Sequence, residues 1–198
     1  MGRGNEKIRI MGARPLTDRK FVNLFEIRYS DRNGRERIWD FVSRQKPPKI
    51  ETGAFNSVDA VIIVPWHVPS RKLVVIREFR MPLNDYQYGF PAGLVDEGET
   101  PEQSAARELK EETGLEITGV RRSSPPIYVS SGLTDESVMM IYVDCKGKPS
   151  NCNAGSAEDI ETVFVSQKEA EELCSDPDLK VDLKTWLVMD SFAGSGRI

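Results

Sequence analysis

The segment that most constrains the fold of this chain runs from Gly93 to Leu115 and reads GLVDEGETPEQSAARELKEETGL. Its centre predicts a helix over Pro101–Thr113, because a proline suits the first helical turn and Glu102 favours the positive end of the helix dipole there. Gly114 can end the helix, since glycine readily adopts the conformation that a C-terminal cap requires. We therefore expect one strongly acidic helix near the middle of the chain.

The predicted buried stripe of this helix is narrow. At ~100° per residue, Ala105 and Ala106 lie within about 60° of Leu109, so the stripe consists of small residues and one leucine. Three carboxylates share a neighbouring face at spacings i, i+3 and i+4: Glu108, Glu111 and Glu112. Their mutual repulsion would become coordination around a divalent cation, and such hard oxygen ligands suit Mg²⁺ or Mn²⁺. A solvated acidic face is the alternative interpretation.

Composition narrows the class of protein. The 198 residues suit one ordinary domain with a small appended unit. Apolar residues make up 39% and charged residues 29%, which is enough apolar side chain for a packed core. The net charge of −4 argues against a nucleic-acid binder, because neutralising phosphates by bulk charge requires a basic chain.

The cysteine pattern and the apolar runs favour a cytoplasmic protein without a membrane partner. Three cysteines lack CxxC spacing and have only His67 as a histidine companion: Cys145, Cys152 and Cys174. This argues against the usual zinc site and against a disulfide scaffold. We see no charged-then-apolar leader at the N-terminus, and the longest apolar run, AVIIVPW, is too short to span a membrane.

Alternation and turn residues predict a β-hairpin near the N-terminus. Its strands are Phe21–Tyr29 and Arg37–Arg44, with Asn33-Gly34 as the turn. The following stretch, QKPPKIETGAFNS, is predicted to be a loop because of its prolines and glycine. We therefore divide the chain into an N-terminal β-hairpin unit over residues 1–45 and a main domain over residues 46–198.

The main domain is predicted to alternate strands and helices. Strands are expected at Val58–Val64, Leu73–Phe79, Tyr86–Ala92, Ile117–Arg121, Ile127–Ser130, Ser137–Val143 and Glu161–Val165. Ser166 can cap a helix through QKEAEELC, and LKTWLVMDSF reads as a last amphipathic helix. This order favours an α/β protein of the α+β or mixed α/β/α sandwich type.

The acidic segment carries a complete family motif. Gly93, Glu99 and the run from Arg107 to Leu115 match every specified position of the Nudix box, G-x5-E-x7-R-E-U-x-E-E-x-G-U, where U is aliphatic. The chain therefore resembles the Nudix hydrolases. The resemblance implies a mixed-sheet α/β/α sandwich and a pyrophosphohydrolase that cuts a nucleoside diphosphate linked to another group. Bound divalent metal would neutralise the pyrophosphate and activate water.

The same resemblance implies roles for the box residues. Glu108 and Glu112 are implied metal ligands, and Glu111 is a third ligand or one that acts through water. Glu108 and Glu111 are thereby also candidate catalytic residues. Glu99 is expected to hold Arg107, which in turn orients a glutamate rather than touching substrate.

Outside the box, the chain resembles the ADP-ribose pyrophosphatase branch of the family. RIWDFVSR is similar to a strand whose tryptophan stacks on adenine and whose arginine contacts the ligand, which implies these roles for Trp39 and Arg44. IREFRMP makes Arg80 a phosphate or ribose contact, as suits a bidentate guanidinium. Read from the residues alone, Trp39 alternates with Phe41 and could be core, and either arginine could be a surface ion-pair partner.

Two further site residues follow from this resemblance. FPAG immediately precedes the box, and the branch uses the alanine carbonyl there as a metal ligand, which implies Ala92. AEDIETVFVS resembles the region that supplies a catalytic glutamate. Glu158 is the best match, with Glu161 as the alternative.

One departure concerns the substrate. The branch usually has a proline before a glycine about fifteen residues after the box, whereas this chain has Ser131 before Gly132. We expect a nucleoside diphosphate sugar as substrate, with ADP-ribose giving AMP and ribose 5-phosphate. GDP-mannose or a UDP- or ADP-hexose, an oxidised nucleotide, and a catalytically weak nucleotide-binding module remain alternatives. The branch also implies a homodimer in which the N-terminal hairpin reaches the partner.

Overall fold

The computed structural model describes residues 7–150 and 159–198, which fall into two compact units. Of the described residues, the first unit comprises 7–59 and 126–138, and the second comprises 60–125, 139–150 and 159–198. Each unit is built around its own sheet. The predicted boundary after residue 45 stays a prediction.

The first unit contains a three-stranded antiparallel sheet in the order β1-β2-β3. Its strands are β1 (Arg9–Pro15), β2 (Asn23–Ser30) and β3 (Glu36–Ser43). The predicted hairpin is confirmed by the register, which pairs Asn23 with Ser43 and Ser30 with Glu36. The sequence did not indicate β1, because RIMGARP does not alternate and its pairing shifts between Ile10 and Gly12.

A buried lysine organises the rest of the first unit. The stretch predicted to be a loop contains one helical turn, α1 (Lys49–Thr52), so that prediction was wrong there. Lys49 is fully buried, and its Nζ donates to Asp59 Oδ2 at 2.5 Å, to Ser137 Oγ at 2.6 Å and to the Ser57 carbonyl at 3.1 Å. The paired charge and three acceptors make this burial tolerable.

The second unit has a mixed sheet with the order β11-β5-β4-β10-β8. In addition, β6 pairs with β5 and β7 pairs with β4. The strands are β4 (Ala60–His67), β5 (Lys72–Arg80), β6 (Asp85–Gly89), β7 (Ala92–Leu94), β8 (Glu116–Ser123), β10 (Ser137–Lys146) and β11 (Ile160–Val165). The short β9 (Ile127–Tyr128) pairs with Ser137 and Val138 at the start of β10, and these residues lie in the first unit.

Helices lie on both faces of the second unit's sheet. They are α2 (Pro101–Thr113), α3 (Gln167–Cys174) and α4 (Leu183–Ser195). Leu109 of α2 packs with Val61 and Ile63 of β4, whereas Trp66 of the same strand contacts Phe192 of α4 with ring centroids 5.8 Å apart. Because successive strand residues point to opposite faces, the sheet lies between α2 and α4. The predicted α/β/α sandwich is confirmed.

The bounds of α2 agree with the sequence prediction at both ends. Thr100 and Gln103 form a capping box, and Gly114 ends the helix with φ 74°. The predicted buried stripe was partly wrong, because Ala106 is exposed and Ser104 is buried. The sheet contacts the helix along Ala105, Leu109 and Thr113, while the Glu99 loop covers Ser104 through a 2.7 Å hydrogen bond.

No helix in the part of the chain that the structure describes is long and apolar enough to cross a membrane.

Candidate active site

The guanidinium of Arg107 is the centre of a charged cluster on α2. Its Nη2 donates to Glu99 Oε2 at 3.0 Å and its Nη1 donates to Glu108 Oε1 at 2.6 Å. Glu111 and Asp96 lie farther away, each with a 3.5 Å contact to the same guanidinium. The cluster therefore brings four carboxylates around one cation and keeps a surplus of negative charge.

Burial and hydrogen bonds divide these carboxylates into two kinds. Hydrogen bonds from Arg107 and then from Ser104 lower the pKa of Glu99 to about 2. Burial raises the pKa of Glu108 above its usual value, although Arg107 acts in the opposite direction. Glu99 is thus a firmly ionised anchor for the arginine, as the sequence indicated. Glu108 is a poorly solvated carboxylate that would gain from a further cation.

Strand β7, which precedes the helix, leaves room for these carboxylates at Gly93. A Cβ on Gly93 would lie 1.9 Å from Cδ and from Oε1 of Glu108, so any other residue at this position would displace the Glu108 carboxylate. The neighbouring Ala92 N–H donates to Glu112 Oε2 at 3.1 Å. The structure therefore brings Ala92, Glu108 and Glu112 together. The contact it shows at Ala92 runs through the amide nitrogen, while the sequence reasoning concerned its carbonyl.

These residues have the right chemistry for a hard divalent cation. Carboxylate and carbonyl oxygens are the ligands that Mg²⁺ and Mn²⁺ prefer, and the Glu108 carboxylate lies directly against Gly93. In residues 7–150 and 159–198, no three His, Cys, Asp or Glu side chains already converge as a metal cluster. One reason is visible in the geometry, because Glu108 Oε1 faces Arg107. The donor set fits the metal, and cation binding would compete with this ion pair.

Arg80 and Ala92 line one small cleft of about 80 Å³ in the second unit. Arg80 Nη1 donates to Glu78 Oε1 at 2.9 Å, and its side chain is about half exposed. The sequence reasoning missed another cation of this cleft, Lys184, whose Nζ lies 3.2 Å from Asp182 Oδ1. Its only sequence signal is its place in the first turn of the last helix, which says nothing of where that helix docks.

Docking of α4 explains how Lys184 reaches the cleft. Asp182 caps the helix by accepting from the N–H groups of Lys184 and Thr185 at 2.9 and 3.2 Å. The Asp182 N–H donates to the Tyr88 carbonyl at 3.3 Å, which fixes the start of the helix beside β6. Two cations thus line the cleft, and each is paired with a carboxylate.

Trp39 and Arg44 belong to the first unit. Trp39 is 50% exposed, so the core interpretation of this residue was wrong, and its ring lines an apolar cavity of about 260 Å³. Ser131, the residue that departs from the branch pattern, lines the same cavity. Arg44 Nε donates to Glu136 Oε1 at 2.5 Å, so it makes the surface ion pair that the sequence left open as an alternative.

The structure describes one of the two candidates for the catalytic glutamate. Glu158, the preferred one, lies outside the described residues. Glu161 is in β11, where it pairs with Arg77 at 3.7 Å and is well exposed. The role of either glutamate stays a prediction.

Comparison with known proteins decides the family. A model described as the NUDIX domain matches residues 56–186 of this chain. The chain belongs to the Nudix family. The match includes the whole segment from Gly93 to Leu115, so the prediction of a Nudix hydrolase is confirmed at the level of the family.

Relatives of this Nudix protein include enzymes named for ADP-linked substrates. The ADP-sugar pyrophosphatase of Mus musculus is 33% identical over 137 residues, which cover 67% of this chain and 59% of that protein. The ADP-ribose pyrophosphatase of Saccharomyces cerevisiae is 30% identical over 143 residues, which cover 70% of this chain and 60% of that protein. This chain thus spans about three fifths of the length of either relative.

A solved structure agrees with the fold. The crystal structure of an ADP compounds hydrolase superposes on this Nudix protein with a TM-score of 0.71 and 23% sequence identity, and the match covers 100% of both chains. At this level of identity the likeness concerns the fold alone.

Proposed function

We propose that this Nudix protein is a divalent-metal-dependent pyrophosphohydrolase of nucleoside diphosphate sugars, with ADP-ribose cut to AMP and ribose 5-phosphate. The observation that carries the proposal is the surplus of carboxylate around Arg107, with Glu108 packed against Gly93 and Glu112 against the Ala92 amide. Such a surplus is costly in a protein that only folds, and it is what cation-assisted chemistry on a pyrophosphate requires.

In this proposal, the carboxylates of Glu108, Glu111 and Glu112 and the Ala92 carbonyl hold Mg²⁺, with Mn²⁺ as an alternative. A bound cation would supply charge neutralisation of the diphosphate and a lower pKa for an attacking water. Arg107 positions Glu108, and Glu99 positions Arg107, so these two residues act through the ligands. Glu158 is the proposed base, and Glu161 the alternative.

The substrate is proposed from charge and from the named relatives. Arg80 and Lys184 line one cleft with Ala92, and two cations there suit the two charges of a diphosphate. The mouse and yeast relatives are named for ADP-sugar and ADP-ribose, which favours an adenine nucleotide. We assign the base to the cavity of Trp39, since a half-exposed indole is a good stacking surface.

The N-terminal hairpin is proposed to take part in a homodimer. Several apolar side chains of the first unit are exposed: Ile10, Met11, Phe21, Ile38 and Trp39. A second copy of the chain would remove part of this surface from water. Sedimentation equilibrium at micromolar concentration tests this point, and a purely monomeric protein would contradict it.

The decisive experiment is a hydrolysis panel with resolved products. ADP-ribose, GDP-mannose, UDP-glucose, ADP-glucose and 8-oxo-dGTP are incubated with Mg²⁺, with Mn²⁺ or with a chelator. We expect metal-dependent conversion of ADP-ribose to AMP and ribose 5-phosphate, with the highest kcat/KM of the set. A preference for another sugar would mean that Ser131 marks a different pocket. No turnover of any compound would contradict the enzyme and favour a nucleotide-binding module.

A further inference from the structure

The cavity beside Trp39 contains an anchored carboxylate that no role in hydrolysis explains. We infer that Asp135 selects the base of the substrate, because its free oxygen Oδ1 accepts a hydrogen bond from the amino group of an adenine stacked on Trp39. This inference rests on the proposed function, since it supposes that a nucleotide base occupies this cavity. It adds a residue that determines specificity for the base.

Aromatic stacking alone would leave this cavity unselective. Trp39 and Tyr128 line it together with Phe55 and Ile50, and the cavity of about 260 Å³ is roomy enough for a purine. Every base has a π-face, so stacking on these aromatic rings does not distinguish one base from another. Discrimination between bases therefore has to come from the polar groups of the lining: Ser131, Thr134 and Asp135.

Asp135 is the polar group with a fixed orientation. Its Oδ2 accepts from the Lys49 N–H at 2.9 Å and from Ser43 Oγ at 3.1 Å. Its Oδ1 has no hydrogen-bond partner among residues 7–150 and 159–198. Lys49 cannot shift easily, since its ammonium is buried and bonded to three acceptors. One carboxylate oxygen is thus held by the backbone while the other stays available.

The chemistry of the free oxygen determines which base it prefers. An ionised carboxylate only accepts hydrogen bonds, whereas a hydroxyl such as that of Ser131 can rotate to donate or accept. Oδ1 therefore favours a base edge that carries an amino group and disfavours a carbonyl oxygen at the same place. The Thr134 hydroxyl accepts from the Glu136 N–H at 3.1 Å, but like Ser131 it can still donate or accept, so it does not discriminate between these edges. Adenine, with its exocyclic amino group, matches this requirement.

Replacement of Asp135 by asparagine should invert the preference rather than merely weaken binding. A backbone N–H can only donate, so the amide oxygen of the variant must face Lys49. Its NH₂ group then stands where Oδ1 stood. The lining changes from an acceptor to a donor at that point, without a change in side-chain size. This variant should favour a base with a carbonyl oxygen at the position of the adenine amino group.

The test compares three diphosphoribose substrates whose purines carry an amino group, a hydrogen or an oxygen at carbon 6, and the oxo purine also carries a proton on N1. For the wild-type protein we expect kcat/KM for the amino compound to exceed that of the unsubstituted compound about tenfold or more, the worth of a hydrogen bond to a charged group. In Asp135→Asn this ratio should fall to about one, and the oxo compound should gain relative to the amino compound. Asp18→Asn removes an equal charge from an exposed ion pair of the same unit and should leave all ratios unchanged.

Several results would overturn the inference. Equal kcat/KM for the amino and unsubstituted compounds in the wild type would do so even if the variant fails to fold. An unchanged ratio in Asp135→Asn, or a fall without any gain for the oxo compound, would also refute the anchored acceptor. If the wild type hydrolyses none of the three, the proposed function is wrong, but this result does not test the role of Asp135. Equilibrium binding of AMP against purine riboside monophosphate then tests Asp135 with the same expected ratio.

Discussion

Two cations organise the two units of this protein in opposite ways. Lys49 in the first unit is fully buried and meets one carboxylate, Asp59, together with two neutral acceptors. Arg107 in the second unit is about one quarter exposed and has four carboxylates around it. The first arrangement is balanced in charge and closed to water, whereas the second has more negative charge than its arginine can neutralise.

We propose that the difference separates a structural cluster from one that binds metal. In a balanced buried pair, both charges are already neutralised by each other and do not attract a ligand. Removal of either partner destabilises the fold, because the other charge is then buried without compensation. A surplus of carboxylate near the surface is unfavourable until a cation binds, so it stores an affinity for metal. If this comparison is right, substitutions in the first cluster change stability and substitutions in the second change turnover.

The largest expected effect is on turnover in Glu112→Gln. The glutamine oxygen can still accept from the Ala92 N–H, so the fold should persist with a similar thermal midpoint. Loss of one charged ligand should lower kcat for ADP-ribose by roughly 10³-fold. Steady-state kinetics with Mg²⁺ measures this, and Glu116→Gln, outside the cluster, is the matched control. Activity like the wild type's would refute the metal assignment.

Lys49→Met should have the opposite effect, a large loss of stability rather than of turnover. Removal of the ammonium leaves Asp59 buried without its partner, and we expect the free energy of unfolding to fall by about 3–5 kcal/mol. Urea denaturation measures the loss. Adding Asp59→Asn should recover part of it, because the uncompensated charge is then absent. A loss below about 1 kcal/mol for the single variant would mean that the buried pair contributes no more than a surface one.

The smallest expected effect is on the stability contributed by an exposed carboxylate, Glu169. Glu169 accepts from the Ser166 N–H at 2.7 Å and pairs with Lys72 at 3.0 Å, and the hydrogen bonds to Ser166 lead in lowering its pKa to about 2. A carboxyl whose pKa is lowered on folding stabilises the protein above its unfolded pKa. That stabilisation disappears as the pH falls from about 4.5 towards 2.

Glu169→Gln should therefore remove only this acid-sensitive part. Between pH 6 and pH 3 the wild type should lose about 0.5–1 kcal/mol more stability than the variant, a small figure because the side chain is half exposed and screened by water. Urea titrations at the two pH values measure the difference. An equal loss in both proteins would show that the lowered pKa carries no stability.

Short-range signals determined much of what could be predicted. The bounds of α2 follow from Thr100, Pro101 and Gly114, since capping and backbone preference act within a few residues. The hairpin of the first unit follows from alternation around Asn33-Gly34 for the same reason. The family could also be predicted, from the complete motif. The acidic helix face could be predicted because the spacing of the glutamates places them on one face whatever the helix packs against.

The tertiary structure alone decided which residues meet. Ser104 rather than Ala106 is buried because the Glu99 loop folds over the first turn of α2. Lys184 enters the cleft of Arg80 because the docking of α4 beside β6 carries it there, across about a hundred residues of sequence. Asp135 faces a cavity because the Lys49 amide, far away in the chain, holds one of its oxygens.

These long-range contacts could not be predicted from the sequence, and the physical reason is the same for all of them. A periodic pattern specifies which face of an element is apolar, but it carries no information on which distant element covers that face. The helix and its carboxylates were therefore determined by the sequence itself. Which charge is buried and paired, which is left in surplus, and which carboxylate oxygen stays free were decided only when the packed units brought distant residues within hydrogen-bond distance.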